Sequence, residues 1–201
     1  MQETPLRLEG INDTLYGGFG ERLGSLLLDS LIVMPVAFLT LYLNSMDKNM
    51  FFYTLIPNLV FQIGYHIYLP TRYGATPGKL TMGIQILRID GKEIGWKEAF
   101  MRHLVILVLT VFSSALMVYC ILNADDATYQ GLSWMKQSQY LMTFAPVLFL
   151  VYTWVANIWT WGELIVLLTN PRKRALHDYM AGTVIVKKVY VKRIQDKMAG
   201  L

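Results

Sequence analysis

An all-α membrane protein is the fold class this sequence predicts: a bundle of four transmembrane helices with a small, strand-containing cytoplasmic linker and tail. Three observations carry it. Several apolar runs reach the roughly 20 residues needed to cross a hydrocarbon core. Hydrophobic residues fill 54% of the 201 positions and charged residues only 16%, well under the quarter or so usual in soluble domains. The basic residues are also unevenly placed. Of 18 Lys and Arg, only Lys48 and Lys136 fall in the linkers 45–49 and 124–139 that follow the first and third runs.

The expected spans are 22–44, 50–69, 102–123 and 140–163. Trp159 and Trp161 suit an interface at the end of the fourth, where Gly162 can interrupt the helix and "LIVLL" reads as either span or surface. Pro35, Pro57 and Pro146 can each bend a span, which neighbouring groups tolerate when they satisfy the freed carbonyls. Since basic residues collect on the cytoplasmic side, the linker 70–101, the tail 170–201 and both termini are placed in the cytoplasm. The net charge of +4 is thus a topology signal, and no nucleic-acid partner is expected. The expected location is the membrane itself, a bacterial inner membrane. The first 21 residues are polar and mildly acidic, unlike the basic start of a cleavable signal. Cys120 is the single cysteine, which excludes an intrachain disulfide and argues against structural zinc.

The linker has its own chemistry. Pro77-Gly78 signals a turn, Ile84, Ile86 and Ile89 alternate with polar neighbours, and Asp90-Gly91 signals a hairpin. "TVIVKKVYV" (183–191) is β-branched and strand-like. The two segments are expected to form a small sheet. "TPGK" is not a nucleotide loop, because a P-loop needs four residues between Gly and Gly-Lys, then Ser or Thr. Lys79 reads instead as an interfacial or gating cation.

Three ordered blocks, "ERLGSLLLDSLIV", "ATPGKLTMGIQILRIDG" and "RALHDYMAGTVIV", together resemble the RDD family of small membrane proteins, named for one arginine and two aspartates. The resemblance covers roughly residues 15–190 and implies that the arginine is Arg22 and the aspartates Asp29 and Asp178. It implies architecture more than activity: cation/proton antiport for some members, partnership in membrane complexes for others.

Arg22 and Asp29 are two helical turns apart, hence on one face and about 10 Å apart in height. An ionised aspartate at a span centre costs about 2.5–3.5 kcal/mol on the lenient scale. Asp29 is therefore expected to be protonated, paired or facing a wet interior. Either a packing hydrogen bond or a proton- and ion-binding carboxylate would account for it. Asn58, Gln62 and His66 recur every four residues on the second span, as do Thr153, Asn157 and Thr160 near Glu163 on the fourth. Counting about 1.5 Å per residue sets Asp29, Gln62, Thr110 and Asn157 at one level. His177-Asp178 is not expected to be a catalytic dyad, since adjacent helical residues point about 100° apart. Asp178 is expected to pair with Arg22 at the inner membrane face.

The functional expectation is a transporter, of the cation/proton antiporter kind, with protons and monovalent cations at Asp29, Gln62, Asn157, Thr110, Asn58 and His66. Arg22, Asp178, His177 and Lys79 would clamp or gate it. The alternative is a non-catalytic membrane scaffold. No enzyme activity and no cofactor is expected, and a homo-oligomer, a dimer or larger, would supply the wall that four spans cannot.

Overall fold

In the computed structural model, which describes residues 3–200, the first apolar run is a single helix, α1 (Phe19–Met46). Its burial is inverted. Leu26, Leu27 and Leu31 are each about 60% exposed, while the buried residues of α1 are Ser25 and Asp29. That distribution suits an apolar solvent outside and a polar interior.

The second run is divided. It comprises α2 (Met50–Ile63), a π-helical turn (Gly64–Tyr68) and α3 (Leu69–Tyr73). Pro70 has no N–H for the carbonyl of His66, and its ring crowds that carbonyl. The turn widens there, and the Leu69 N–H donates to the Gly64 oxygen. A short helix α4 (Pro77–Thr81) and strand β1 (Ile84–Arg88) fill the linker, and α5 (Trp96–Asn123) is the next long helix. After α6 (Asp126–Gln130) and α7 (Trp134–Met142) comes α8 (Pro146–Thr169).

The last long helix thus begins later than the expected 140, with Pro146 at a position whose missing N–H costs nothing, and it continues through Gly162. A Cβ on Gly162 would lie 3.0 Å from the Leu176 side chain, so close packing, not a helix break, accounts for this glycine. Helix α9 (Leu176–Ala181), strand β2 (Thr183–Lys187), a 3₁₀ turn (Lys188–Tyr190) and α10 (Val191–Ala199) complete the chain. Among the described residues, α1, α5 and α8 are the three helices long and apolar enough to cross a membrane.

The chain divides into two compact units. One takes in the chain up to Ile32, Ile63–Leu104 and the chain from Trp161. Its centre is the antiparallel pair β1–β2, with Ile86 opposite Ile185 and Leu87 opposite Val184. Both faces of the pair are buried. Ile84, Ile86 and Ile185 pack with Ile67, Ile94 and Ala99, while Leu87, Val184 and Val186 pack with Leu8, Leu15, Tyr16 and Ile194.

The second unit is Val33–Gln62 and Val105–Thr160. Leu116, Cys120, Ile121, Tyr129 and Leu141 form its core. Lys48 donates to the Ala124 carbonyl and pairs with Asp126 at 2.9 Å. Gln137 donates to the carbonyls of Ser45 and Tyr129, both at 3.2 Å. Polar side chains thereby tie the segments 45–49 and 124–139 together.

The inverted burial makes a direct prediction. Ile185→Ala should cost about 2–5 kcal/mol and lower the thermal midpoint in detergent micelles. Leu27→Ala, which removes only exposed apolar surface, should leave that midpoint nearly unchanged. Equal losses at the two positions would contradict the assignment of the α1 leucines to the solvent-like side.

Candidate functional site

Two carboxylates organise the first unit, and they are held in different ways. Asp178 lies at the third position of α9 and reaches back to the N–H of Ala175, 3.0 Å away. This satisfies one of the donors a helix start leaves open. It is fully buried. Arg22 from α1 meets one of its oxygens at 2.9 Å, and Arg102 from α5 contacts the other. The Thr183 hydroxyl donates to it at 3.3 Å.

The arginines are themselves fixed. Arg22 donates to the Gly17 carbonyl at 3.1 Å and also to the Lys173 carbonyl. Arg174 braces the same turn, donating to the carbonyls of Thr183 at 2.9 Å and Asp178 at 3.0 Å. Burial pushes the Asp178 carboxyl up, but the charges of Arg102 and Arg22 outweigh it and hold the group well below the usual carboxylate range.

Asp29 has mostly neutral donors. The Tyr65 hydroxyl at 2.6 Å and the Gly78 N–H at 2.7 Å share one oxygen, and the Thr76 hydroxyl at 2.7 Å takes the other. Lys79 lies 3.8 Å from that second oxygen and 3.3 Å from the Thr76 hydroxyl. Thr76 is the residue before α4, where a side chain ordinarily caps the helix, yet its hydroxyl makes no such bond. The aspartate of α1 supplies the cap instead. Gly78 is required for this approach, because a Cβ there would overlap the Ser25 carbonyl and stand 2.6 Å from the Asp29 oxygen. Burial foremost, aided by Arg102 and opposed by Asp29, lowers the Lys79 ammonium to about 8.

A match to the RDD family model covers residues 16–182. The chain belongs to the RDD family. No curated protein and no solved structure matches it. In this RDD chain, Arg22, Asp29 and Asp178 are therefore not one cluster but two linked positions: an arginine–aspartate–arginine clamp and a capped aspartate.

The remaining expected site residues are distributed as follows. His66 stacks on His103, with ring centroids 4.7 Å apart and planes 8° apart. His177 meets Glu163 of α8 twice, through its ring at 2.7 Å and its backbone N–H at 2.9 Å. Its other ring nitrogen is 3.7 Å from Asp178. In the second unit, Gln62 donates to Thr110 at 3.1 Å, and Asn58 accepts from Thr40 at 3.1 Å. Asn157 is exposed and donates to the Thr153 carbonyl one turn back, at 2.7 Å.

Arg102, Tyr65, Thr76 and Gly78 are absent from the sequence-derived site. The available signals were weak. Arg102 stands at the head of the third expected span, where a basic residue reads as an interfacial anchor. Thr76 precedes a proline-initiated turn.

The RDD clamp gives two predictions. Asp178→Asn should destabilise the protein by about 3–5 kcal/mol, because two buried guanidiniums lose their counter-charge. Since the native carboxyl is depressed, its contribution is present above about pH 4 and is lost on further acidification; in the variant that acid limb of the unfolding curve should disappear. The paired reversal Arg22→Asp with Asp178→Arg should not restore expression, because Arg102 would then face a new arginine. Recovery of wild-type expression would mean that Arg102 is not part of the clamp.

Proposed function

We propose that this RDD protein exchanges protons for monovalent cations across the membrane, with Asp29 and Lys79 as the exchanging pair. The observation that carries the reading is a buried carboxylate and a half-buried ammonium 3.8 Å apart, beside the hydroxyl oxygens of Tyr65 and Thr76. With Lys79 protonated, the pair is neutral. When the proton leaves, a negative charge remains in a site where an unbalanced charge is costly. A monovalent cation restores neutrality, and carboxylate, hydroxyl and carbonyl oxygens are suitable donors for a hard cation. One proton is thereby exchanged for one cation. The Lys79 value of about 8 sets the pH near which loading changes over.

On this reading Met50–Tyr73, helical throughout, serves as a fourth span, and both termini face the cytoplasm of a bacterial cell, as the distribution of Lys and Arg supports. Asn157, exposed on α8 with Thr153 and Thr160, supports self-association, since such side chains hydrogen-bond between helices in lipid.

Proteoliposomes carrying a pH-sensitive dye test the reading. Addition of sodium or potassium should drive proton efflux, with a midpoint near pH 8. Asp29→Asn should lower it about a hundredfold. Lys79→Arg keeps the charge pair but cannot release its proton, so the protein should fold normally and fail to exchange. Wild-type protein that moves no protons in response to either cation would overturn the reading.

A second reading, a membrane scaffold, is favoured by the two hydrogen bonds that make Asp29 a cap for the 76–79 turn and by a third that ties it to Tyr65. Mass spectrometry after purification in mild detergent separates the two. A stoichiometric foreign membrane protein supports the scaffold, and a clean homo-oligomer counts against it.

A further inference from the structure

Asn157 stands half-way along α8, eleven residues from Pro146 and twelve from Thr169. At about 1.5 Å per residue either helix end lies about 17 Å away, more than the roughly 15 Å half-thickness of a hydrocarbon core. Its side chain is exposed, so on a membrane helix it meets lipid tails at a depth that headgroups and water do not reach. One N–H of the amide donates to the Thr153 carbonyl at 2.7 Å. Among the described residues, nothing bonds to the second N–H or to Oδ1. A side-chain amide carries two donors and a carbonyl acceptor, and hydrocarbon offers a partner to none of them.

The other polar groups of the spans are met. The hydroxyls of Thr153 and Thr160 donate to the carbonyls of Phe149 and Ala156, each at 2.8 Å. Asn58 and Gln62, the amides of the second apolar run, reach neighbouring helices: Asn58 accepts from Thr40 of α1 and Gln62 donates to Thr110 of α5, both at 3.1 Å. Asn157 has the same chemistry on an outward face. That face also has the spacing of a helix-pairing seam. Leu150, Thr153, Asn157 and Thr160 are all exposed and follow one another at intervals of three, four and three residues, the heptad alternation of left-handed helix pairs. One asparagine in such a seam fixes register and the number of helices.

The chemistry selects the occupant as well. A carboxamide is complementary to itself, because each can donate an N–H to the oxygen of the other. Copies of one chain insert with one orientation, which brings the asparagine of each to the same depth. A different protein would need a polar side chain at that level. We propose that two copies of this chain pair through α8, about a two-fold axis along the membrane normal, with their Asn157 carboxamides bonded to each other at mid-membrane. Each amide then gives its remaining N–H and receives one at Oδ1. The inference deepens the self-association within the exchange reading by naming its surface and partner, and it does not require that protons move.

Cys120 is the single cysteine, so in a Cys120→Ala background one introduced thiol reports its own surroundings. In lipid vesicles under mild oxidation, Thr153→Cys and Thr160→Cys should give disulfide-linked dimers. Ile158→Cys, at a position 68% exposed but off the seam, should not. Energy transfer between fluorophores at Val189→Cys, followed as lipid is added, measures the association itself. Asn157→Leu should weaken it about tenfold, and Asn157→Gln should preserve it. Ser30→Ala, which removes an exposed hydroxyl bonded within its own helix, should leave it unchanged. Linkage at Ile158 in place of Thr153, a wild type that remains monomeric, or equal association of the wild type and Asn157→Leu overturns the proposal. Linkage of Thr153→Cys to a foreign protein in native membranes also overturns it. Where Asn157→Leu does not fold, the linkage pattern decides. Association is read without flux, so a chain that pairs but moves no protons sinks the exchange reading alone, and one that exchanges as a monomer sinks this inference alone.

Discussion

The carboxylate of Asp178 joins α1, α5 and α9 at one buried point, and the rest of the first unit is arranged around that junction. Two guanidiniums and one carboxylate leave a net positive charge, which carbonyl oxygens of Gly17 and Lys173 help to disperse. Such clusters contribute little net stability relative to a well-packed apolar replacement, because desolvation offsets most of the attraction. They do penalise every arrangement in which one member is missing. The clamp therefore selects a particular docking of helices from very different parts of the sequence. It also fixes where α1 begins relative to β2, since the Gly17 N–H donates to the Ile185 carbonyl at 3.0 Å.

Asp29 stands on the same helix as Arg22 yet belongs to a different kind of site. Asp178 is balanced by groups that do not deprotonate in proteins, so its surroundings are electrostatically fixed. Asp29 is balanced by hydroxyls, one backbone N–H and a lysine whose ammonium is already weakened by burial and by Arg102. The clamp thus influences the second site directly: the same Arg102 that neutralises Asp178 also lowers Lys79. A charge cluster that does not titrate thus stands beside one whose lysine is weakened.

Membrane character and the three named charges were legible in the sequence, for physical reasons. Apolar length and scarcity of charge follow from the solvent, and a carboxylate inside a 28-residue apolar helix has few innocuous explanations. β-Branched residues at 183–187 and alternation at 84–86 likewise carry strand chemistry in their own pattern. The partners of the carboxylates were not legible. Arg102 lies 76 positions from Asp178, and Tyr65, Thr76 and Gly78 lie 36, 47 and 49 positions from Asp29. Counting residues along a helix gives height but not azimuth. Placing Gln62, Thr110 and Asn157 at the depth of Asp29 therefore said nothing about which of them face a partner. Gln62 and Thr110 bond to each other, and Asn157 turns back on its own helix.

The π-helical turn shows how a local rule can have a distant effect. Pro70 removes one donor, and the helix accommodates the loss by a wider turn closed from Leu69 to Gly64. An extra residue in a turn rotates the side chains that follow relative to those before. Tyr65 and His66, adjacent in sequence, thereby face Asp29 and His103 respectively. A regular helix through this segment would keep the four-residue stripe of Asn58, Gln62 and His66 on one face. Even with the wider turn, Gln62 donates to Thr110 and His66 stacks on His103, and residues 103 and 110, two turns apart on α5, share a face of that helix.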